Sequence, residues 1–436
     1  MNRTLSLRHV PVKLTYAIIA MTFAFMILSF SPVGVFALSG APVFLAAHNI
    51  SNDAGTAQFP NIANVGSSVY AAWTEQSRGI YFSVSSNDGV SWSPGAKLSL
   101  SGGTAAYPLL SAIGSDVYVV WSQNTASGKP MQVYFSASSD SGAHFSTPII
   151  IDNTPTTSSL TPVIAASGTN VAVGWIASTH SYVRTSTNNG GSWGSVLSLS
   201  SNHEPQVAIS GNNVYAISDG LRFAVSHDAG STWVIKSVGG GSEPWIAASG
   251  SNVYAAWETK GTASKVSVLV SNNNGNTFTT KVLTTTLPDS WNPMVAAFGS
   301  KAYIAIQEYP GVSKANIWIY VSTNNGGSWN APVSLSGSGS VLSYPFNVAT
   351  SDGTNVFVMW GQQVSSTNWV SRVSYSGDGG TTWTSAPGIN VSNNPSGAAA
   401  TNNDIATGAL TSDGSHGLAV WQYVSGTTSQ IYFSGS

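Results

Sequence analysis

The chain has 436 residues, of which 42% are hydrophobic and only 7% charged, with a formal net charge of −2. An average soluble protein carries roughly 25% charged residues, so hydroxyls and amides must solubilise this surface, while the apolar fraction suffices for a large core. Lysines and arginines cluster nowhere, which argues against nucleic acid as a partner. The absence of cysteine excludes disulfides and thiolate metal sites.

Arg3, Arg8 and Lys13 precede an apolar run of 17 residues, Leu14 to Phe30, followed by the small-residue site Val35-Phe36-Ala37. This pattern predicts a signal peptide over 1–37, with a retained N-terminal membrane anchor as the alternative, because the run sits at the lower limit for a span. Either way residues 38–436 are expected outside the cytoplasm, extracellular or at the cell surface, touching membrane only through that segment. Cleavage would leave 12 basic against 17 acidic residues, a net of −5. Two Asn-x-Ser sequons, at Asn49 and Asn390, read equally as glycosylation sites or as chance in a chain rich in Asn and Ser.

From Pro60 onward one unit recurs. It opens on Pro-x-(Ile/Val/Leu)-(Ala/Ser), turns at a glycine, and continues into an alternating apolar strand that often ends on Trp. Openings fall at Pro60, Pro108, Pro162, Pro205, Pro244, Pro293 and Pro345, and a degenerate one at Asn403-Asp404-Ile405-Ala406. A third strand follows, such as Ile80-Tyr81-Phe82-Ser83, then a fourth near Lys97-Leu98-Ser99-Leu100. Period-two alternation broken by Gly/Asn/Asp turns predicts four antiparallel strands per unit. The spacing between openings suits propeller blades of roughly 40–50 residues.

Between third and fourth strands stands the phrase Ser-x-Asn/Asp-x-Gly-x-x-Trp/Phe, seven times, beginning at Ser85, Ser138, Ser186, Ser226, Ser271, Ser322 and Ser376. It resembles the Asp-box (BNR) repeat of the sialidase-like propellers, over nearly all of residues 49–436. The resemblance implies a β-propeller in which each box is a structural turn on the face away from any active site. The residues agree: glycine permits the turn, and the Asn/Asp side chain can bond nearby backbone amides. Unit eight lacks its fourth strand, and Asn49-Ile50-Ser51-Asn52 matches Asn390-Val391-Ser392-Asn393. The expected fold is therefore all-β, a single propeller of eight four-stranded blades (seven is the alternative), closed by an N-terminal strand that leaves no open sheet edge.

All five glutamates, Glu75, Glu204, Glu243, Glu258 and Glu308, are expected on the rim that carries the blade-to-blade connections. Asp219 and Asp289 join them, with Asp53, Asp152 and Asp404 placed beside them. A spacing of fifteen recurs from Glu204 to Asp219, Glu243 to Glu258 and Asn292 to Gln307. The first strand lines the channel, so blades four to six should present an acidic arc at its mouth, with His203, Trp245 and Trp291 nearby. Such an arc could hold a divalent cation through oxygens or bind sugar hydroxyls; a merely solvated rim is the bland reading. No histidine pair has metal-ligand spacing, so no metal site and no cofactor is assigned beyond that cation. The tryptophans Trp73, Trp121, Trp175, Trp257, Trp360 and Trp421 recur in register as blade core.

Two carboxyls roughly 5–10 Å apart could hydrolyse a glycosidic bond, but the sequence does not single out the pair. A sialidase would carry Phe/Tyr-Arg-Ile-Pro and three converging arginines. Here Phe59-Pro60-Asn61-Ile62 and Tyr107-Pro108-Leu109-Leu110 hold those openings without arginine, and Arg78, Arg184, Arg222 and Arg372 fall on or beside third strands. Sialidase activity is therefore not expected. Three functions stand: a binding module for a glycan, cation or envelope protein; a glycoside hydrolase acting on a neutral or basic sugar; and a structural envelope scaffold.

Overall fold

The structure, a computed structural model, describes residues 42–52, 55–152, 157–199, 204–284, 289–311, 314–337, 342–365, 368–392, 400–401, 408–425 and 428–436. The segment 1–37, Asp53, His203 and Asp404 lie outside the described residues.

Eight antiparallel sheets are present rather than seven, each with four strands in simple up-and-down order. Blade V shows the plan: inner strand Ser242–Ser249, then Asn252–Thr259, Lys265–Ser271 and the outer strand Thr279–Val282. Blade VII adds a short fifth strand, Ala400–Thr401, against Asn368–Ser376. The inner strands pack side by side around a ring, and Gly408–Ser412 of blade VIII meets Ala57–Val65 of blade I.

Burial explains the order of the strands. The second strand of each blade is covered on both faces, so Ser68–Glu75 of blade I and Asp116–Gln123 of blade II are buried almost throughout. The six in-register tryptophans are at most 3% exposed. Their clusters lie between blades: Tyr70 and Phe82 of blade I pack with Leu110 and Val117 of blade II. Apolar area removed from water between neighbouring sheets, at roughly 25 cal/mol per Å2, is the main force holding the ring.

Each box is one hydrogen-bonded device. In blade III the Ser186 hydroxyl donates to Asn188 Oδ1 at 2.9 Å and accepts the Gly190 N–H at 2.9 Å, while Asn188 Oδ1 also accepts the Ser192 N–H at 2.8 Å. Asp140, Asp228 and Asp378 make the same contacts in blades II, IV and VII. Gly190 has φ +82°, and a Cβ there would stand 2.3 Å from the Phe135 ring of the preceding blade. Glycine is thus required both by the turn and by the approach.

The N-terminal strand completes the last blade. His48–Asn49 pairs with Thr428–Gly435 in the register His48↔Phe433 and Asn49↔Tyr432. Ser51 Oγ accepts the Ile431 N–H at 3.0 Å, as Ser392 Oγ accepts the Ser371 N–H at 3.1 Å in blade VII. Asn49 Oδ1 and Asn390 Oδ1 each accept from the serine two residues on, at 3.0 and 2.9 Å. Both sequons therefore have a local structural role as caps on an outer strand.

Candidate functional site

The inner strands carry one irregularity that composition does not reveal. In blades I, II, III, V and VI the register slips at the residue before the inner-strand proline. Those residues, Phe59, Tyr107, Thr161, Glu243 and Asn292, have φ of +53°, +58°, +45°, +53° and +48°. Bulky residues rarely take the left-handed region, and a bulge of this kind re-aims a side chain. Each following proline (Pro60, Pro108, Pro162, Pro244, Pro293) is buried, while the residue before it is partly or fully exposed. The result is a ring of side chains set around the channel mouth, one from each of these blades.

Two adjoining cavities lie inside that ring. One, of about 340 Å3, is lined by Phe59, Tyr107, Thr161 and their prolines, and reaches Glu204, Gln206 and Met294. Phe59 and Tyr107 form an aromatic shelf, with ring centroids 4.7 Å apart. The other, of about 140 Å3, is lined by Glu204, Gln206, Asp219, Glu243, Trp245, Asn292 and Met294. Glu204, Gln206 and Met294 belong to both, so one mouth has an aromatic half and an acidic half.

Of the residues expected at the site, this cavity gathers Glu204, Asp219, Glu243 and Trp245. Glu204 and Glu243 are exposed. Asp219 sits in a short 3-10 turn, Asp219–Leu221, and its Oδ1 accepts the Glu243 N–H at 3.0 Å, which fixes the bulge of blade V from blade IV.

The other expected residues lie at the same end of the ring but apart from the cavity wall. Glu75 is wholly buried, and its Oε1 accepts the Trp73 indole N–H at 2.8 Å. Gln123 does the same for Trp121 in blade II, at 2.9 Å. This carboxylate is therefore a tryptophan anchor. Glu308 accepts from Trp318 Nε1 at 2.5 Å. Asp289 ties blade V to blade VI by accepting the Ser264 N–H at 2.6 Å. Trp291 stands edge-on to Tyr309, centroids 6.1 Å apart. Asp152 accepts the Val133 N–H of blade II.

Glu258 is the chemically distinct member. It is 1% exposed, and its Oε1 is shielded from solvent without a hydrogen-bond partner. Burial pushes its carboxyl up to about 7, against the pull of Lys260; the charges of Glu243, Asp289 and Asp219 push it further. It is thus a buried acid able to keep its proton near neutral pH.

The spacing of fifteen has a physical meaning in blade VI, where Asn292 Nδ2 donates to Gln307 Oε1 at 2.7 Å and Gln307 Nε2 donates to Ser343 O at 2.6 Å. Phe59, Tyr107, Thr161 and Asn292 were not expected as site residues. Their common sequence signal is a place before an inner-strand proline, and for Asn292 also the spacing of fifteen to Gln307.

Among the described residues no arginine lines either cavity. Arg184 donates to Gly194 O and Ile151 O, both at 2.7 Å, and Arg372 to Gly388 O at 3.2 Å. A carboxylate clamp needs converging guanidiniums, and backbone carbonyls occupy these.

No protein-family model and no curated protein matches the chain. Among solved structures it is similar to an ulvan lyase of polysaccharide lyase family PL25, at 13% identity and TM-score 0.50, covering 92% of this chain and 94% of that one. The same enzyme bound to -[GlcA(1-4)Rha3S]- gives the same values. A microbial sialidase matches less closely, at 14% identity and TM-score 0.38, over 60% of this chain and 66% of that one. The similar structures are sialidase-like β-propellers; at this identity the likeness is one of fold.

Proposed function

We propose that this chain is an exported Asp-box propeller that binds carbohydrate at its channel mouth, acting outside the cell or at its surface. One observation carries the reading: an aromatic shelf and an acidic arc line two adjoining cavities of one mouth, and strained bulges set residues of both. Apolar sugar faces stack on rings such as Phe59 and Tyr107, while carboxylates and amides such as Glu204, Glu243 and Asn292 accept and donate to hydroxyls. An acidic arc disfavours anionic sugars by like-charge repulsion, so the ligand is a neutral or amino sugar.

Backbone strain of this kind costs about 1–3 kcal/mol per residue and persists where surrounding structure over-determines it, often at ligand clamps. Five such residues around one opening support a site over a wetted rim or a pure scaffold. The test is a glycan array probed with the wild-type chain and with Glu243→Gln and Phe59→Ala. Neutral or amino glycans should bind, and each substitution should weaken them at least tenfold. Binding of no glycan, or unchanged binding by both variants, would overturn the proposal.

Glu258 favours a second reading, in which the same mouth hydrolyses its glycan. Glu258 pairs in register with Ser242, next to the Glu243 bulge, and a carboxyl raised by burial close to a second carboxyl is the environment a general acid needs. Released reducing ends that disappear in Glu258→Gln, with binding retained, would establish it; an array-positive chain releasing nothing would leave a binding module.

A further inference from the structure

A second cluster lies on the opposite rim, where the ring closes. Asp88 belongs to the box of blade I, and Asp413 and His416 to the first turn of blade VIII. One ligand atom from each lies within 4.8 Å of the other two. Asp88 Oδ1 is sealed from solvent and has no hydrogen-bond partner. Asp413 is held rigidly: its Oδ1 accepts the Ser415 and His416 N–H groups, both at 2.7 Å, and its Oδ2 lies 2.8 Å from His416 Nδ1.

The other joints show what is unusual here. The residue before the box glycine faces the preceding blade, and in blade III it is Asn189. Its Nδ2 donates to Asp116 Oδ2 of blade II at 3.2 Å. In blade VI it is Asn325, whose Oδ1 accepts from Asn252 Nδ2 of blade V at 3.0 Å. An amide meets a carboxylate or an amide at those joints. At the closing joint a carboxylate, Asp88, meets the carboxylate of Asp413, so the donor is missing and negative charge is doubled. Two partly buried carboxylates facing one another, one with a sealed and unpartnered oxygen, offer a place for a cation.

We propose that Asp88, Asp413 and His416 form a divalent-metal site that straps blade VIII to blade I. Two carboxylate oxygens and an imidazole suit Zn2+ or Mn2+; Ca2+ prefers six to eight oxygens. Bound only when the first and last blades are docked, the ion stabilises the closed ring in proportion to its occupancy. The site is independent of the channel mouth and of any activity there.

Isothermal titration of the untagged full chain with ZnCl2, MnCl2 and CaCl2 separately is the test. One Zn2+ or Mn2+ should bind per chain, at least about tenfold tighter than Ca2+. Asp88→Asn and His416→Ala should each weaken it tenfold or more. Asp88→Asn also places there the amide found in blades III and VI, so without metal it should melt at or above the wild-type temperature while losing the rise that metal gives. Absence of binding, or binding that both variants retain, would overturn the proposal.

Discussion

Trp92 stands edge-on to Phe433, ring centroids 5.0 Å apart and planes at 67°. The box aromatic of the first blade thereby closes on the third strand of the last. The same contact recurs between consecutive blades, Phe145 on Phe82 and Trp193 on Phe135, at 4.8 and 4.9 Å. The first and last blades are thus joined by the packing that also links blades I and II, II and III, and IV and V, with the His48–Asn49 strand added.

If that contact is one repeat of a common lock, its loss should cost what loss of an interior lock costs. Phe433 is 1% exposed, so Phe433→Ala should destabilise by about 3–5 kcal/mol. Phe135→Ala, at an interior joint, should fall in the same range. A double-mutant cycle of Trp92→Leu with Phe433→Leu should return a coupling of about 0.5–1.5 kcal/mol in urea unfolding. A Phe433→Ala cost near zero would mean that the ring opens at blade VIII without penalty.

The boxes separate two roles that look alike in sequence. The serine hydroxyl satisfies a buried glycine N–H, so Ser186→Ala should cost about 1–2 kcal/mol. Asn188→Asp should lie within about 0.5 kcal/mol of wild type, because Asp140, Asp228 and Asp378 already make the same bonds. Equal losses for both substitutions, measured by thermal unfolding, would contradict this division of labour.

Much of the fold was legible because it repeats. Seven boxes in register, the Pro-x-Ile-Ala openings and the match of Asn49-Ile50-Ser51 to Asn390-Val391-Ser392 each state the same local rule several times, and eight blades with a closing strand follow. The site was legible only as an end of the ring. Glu75 and Glu243 both belong to the rim with the blade-to-blade connections, yet Glu75 ends a second strand and anchors Trp73, while Glu243 stands on an inner strand at a bulge that no residue type announces. A hint existed in Gln123, which holds the place of Glu75 in blade II and pointed to hydrogen bonding rather than charge. Asp88 and His416 stand at opposite ends of the chain, so no spacing rule could bring them together.

Stability should depend on pH in two opposed limbs. Side-chain and backbone bonds from Thr232 hold Asp228 down to about 2, and those from His144 hold Asp140 below its ordinary value. Burial pushes Asp413 up, but its bonds to His416 and Ser415 outweigh it and leave the carboxyl low. These groups bind fewer protons folded than unfolded, so they add stability present above their unfolded pKa and lost as pH falls through 4 toward 2. Glu258 is reversed: raised from 4.5 to about 7, it carries more protons folded, and its contribution is lost as pH rises from about 5 to 7. That limb is worth about 2 kcal/mol. Unfolding between pH 3 and 8 should show a maximum near pH 4–5, and Glu258→Gln should flatten the upper limb alone. An upper limb that persists in Glu258→Gln would place the titrating group elsewhere.

Strain at the mouth should be separable from binding. Glu243 holds φ +53° where Asn292, in the next blade, holds +48°, and asparagine tolerates the left-handed region far better than glutamate. Glu243→Asn should therefore keep the bulge, leave the Asp219 bond to its N–H in place, and raise stability by up to about 1 kcal/mol. It also removes one carboxylate from the acidic half of the cavity, so glycan affinity should fall at least tenfold. A variant both more stable and weaker in binding is the mark of a residue retained for its ligand. Phe59→Leu should act on the opposite half: the apolar wall survives, the ring contact with Tyr107 is lost, and affinity falls without any change in the salt dependence of binding. If Glu243→Asn were instead destabilised by 2 kcal/mol or more, the carboxylate would be a structural tie like Glu75, and the acidic half would have no ligand to explain it.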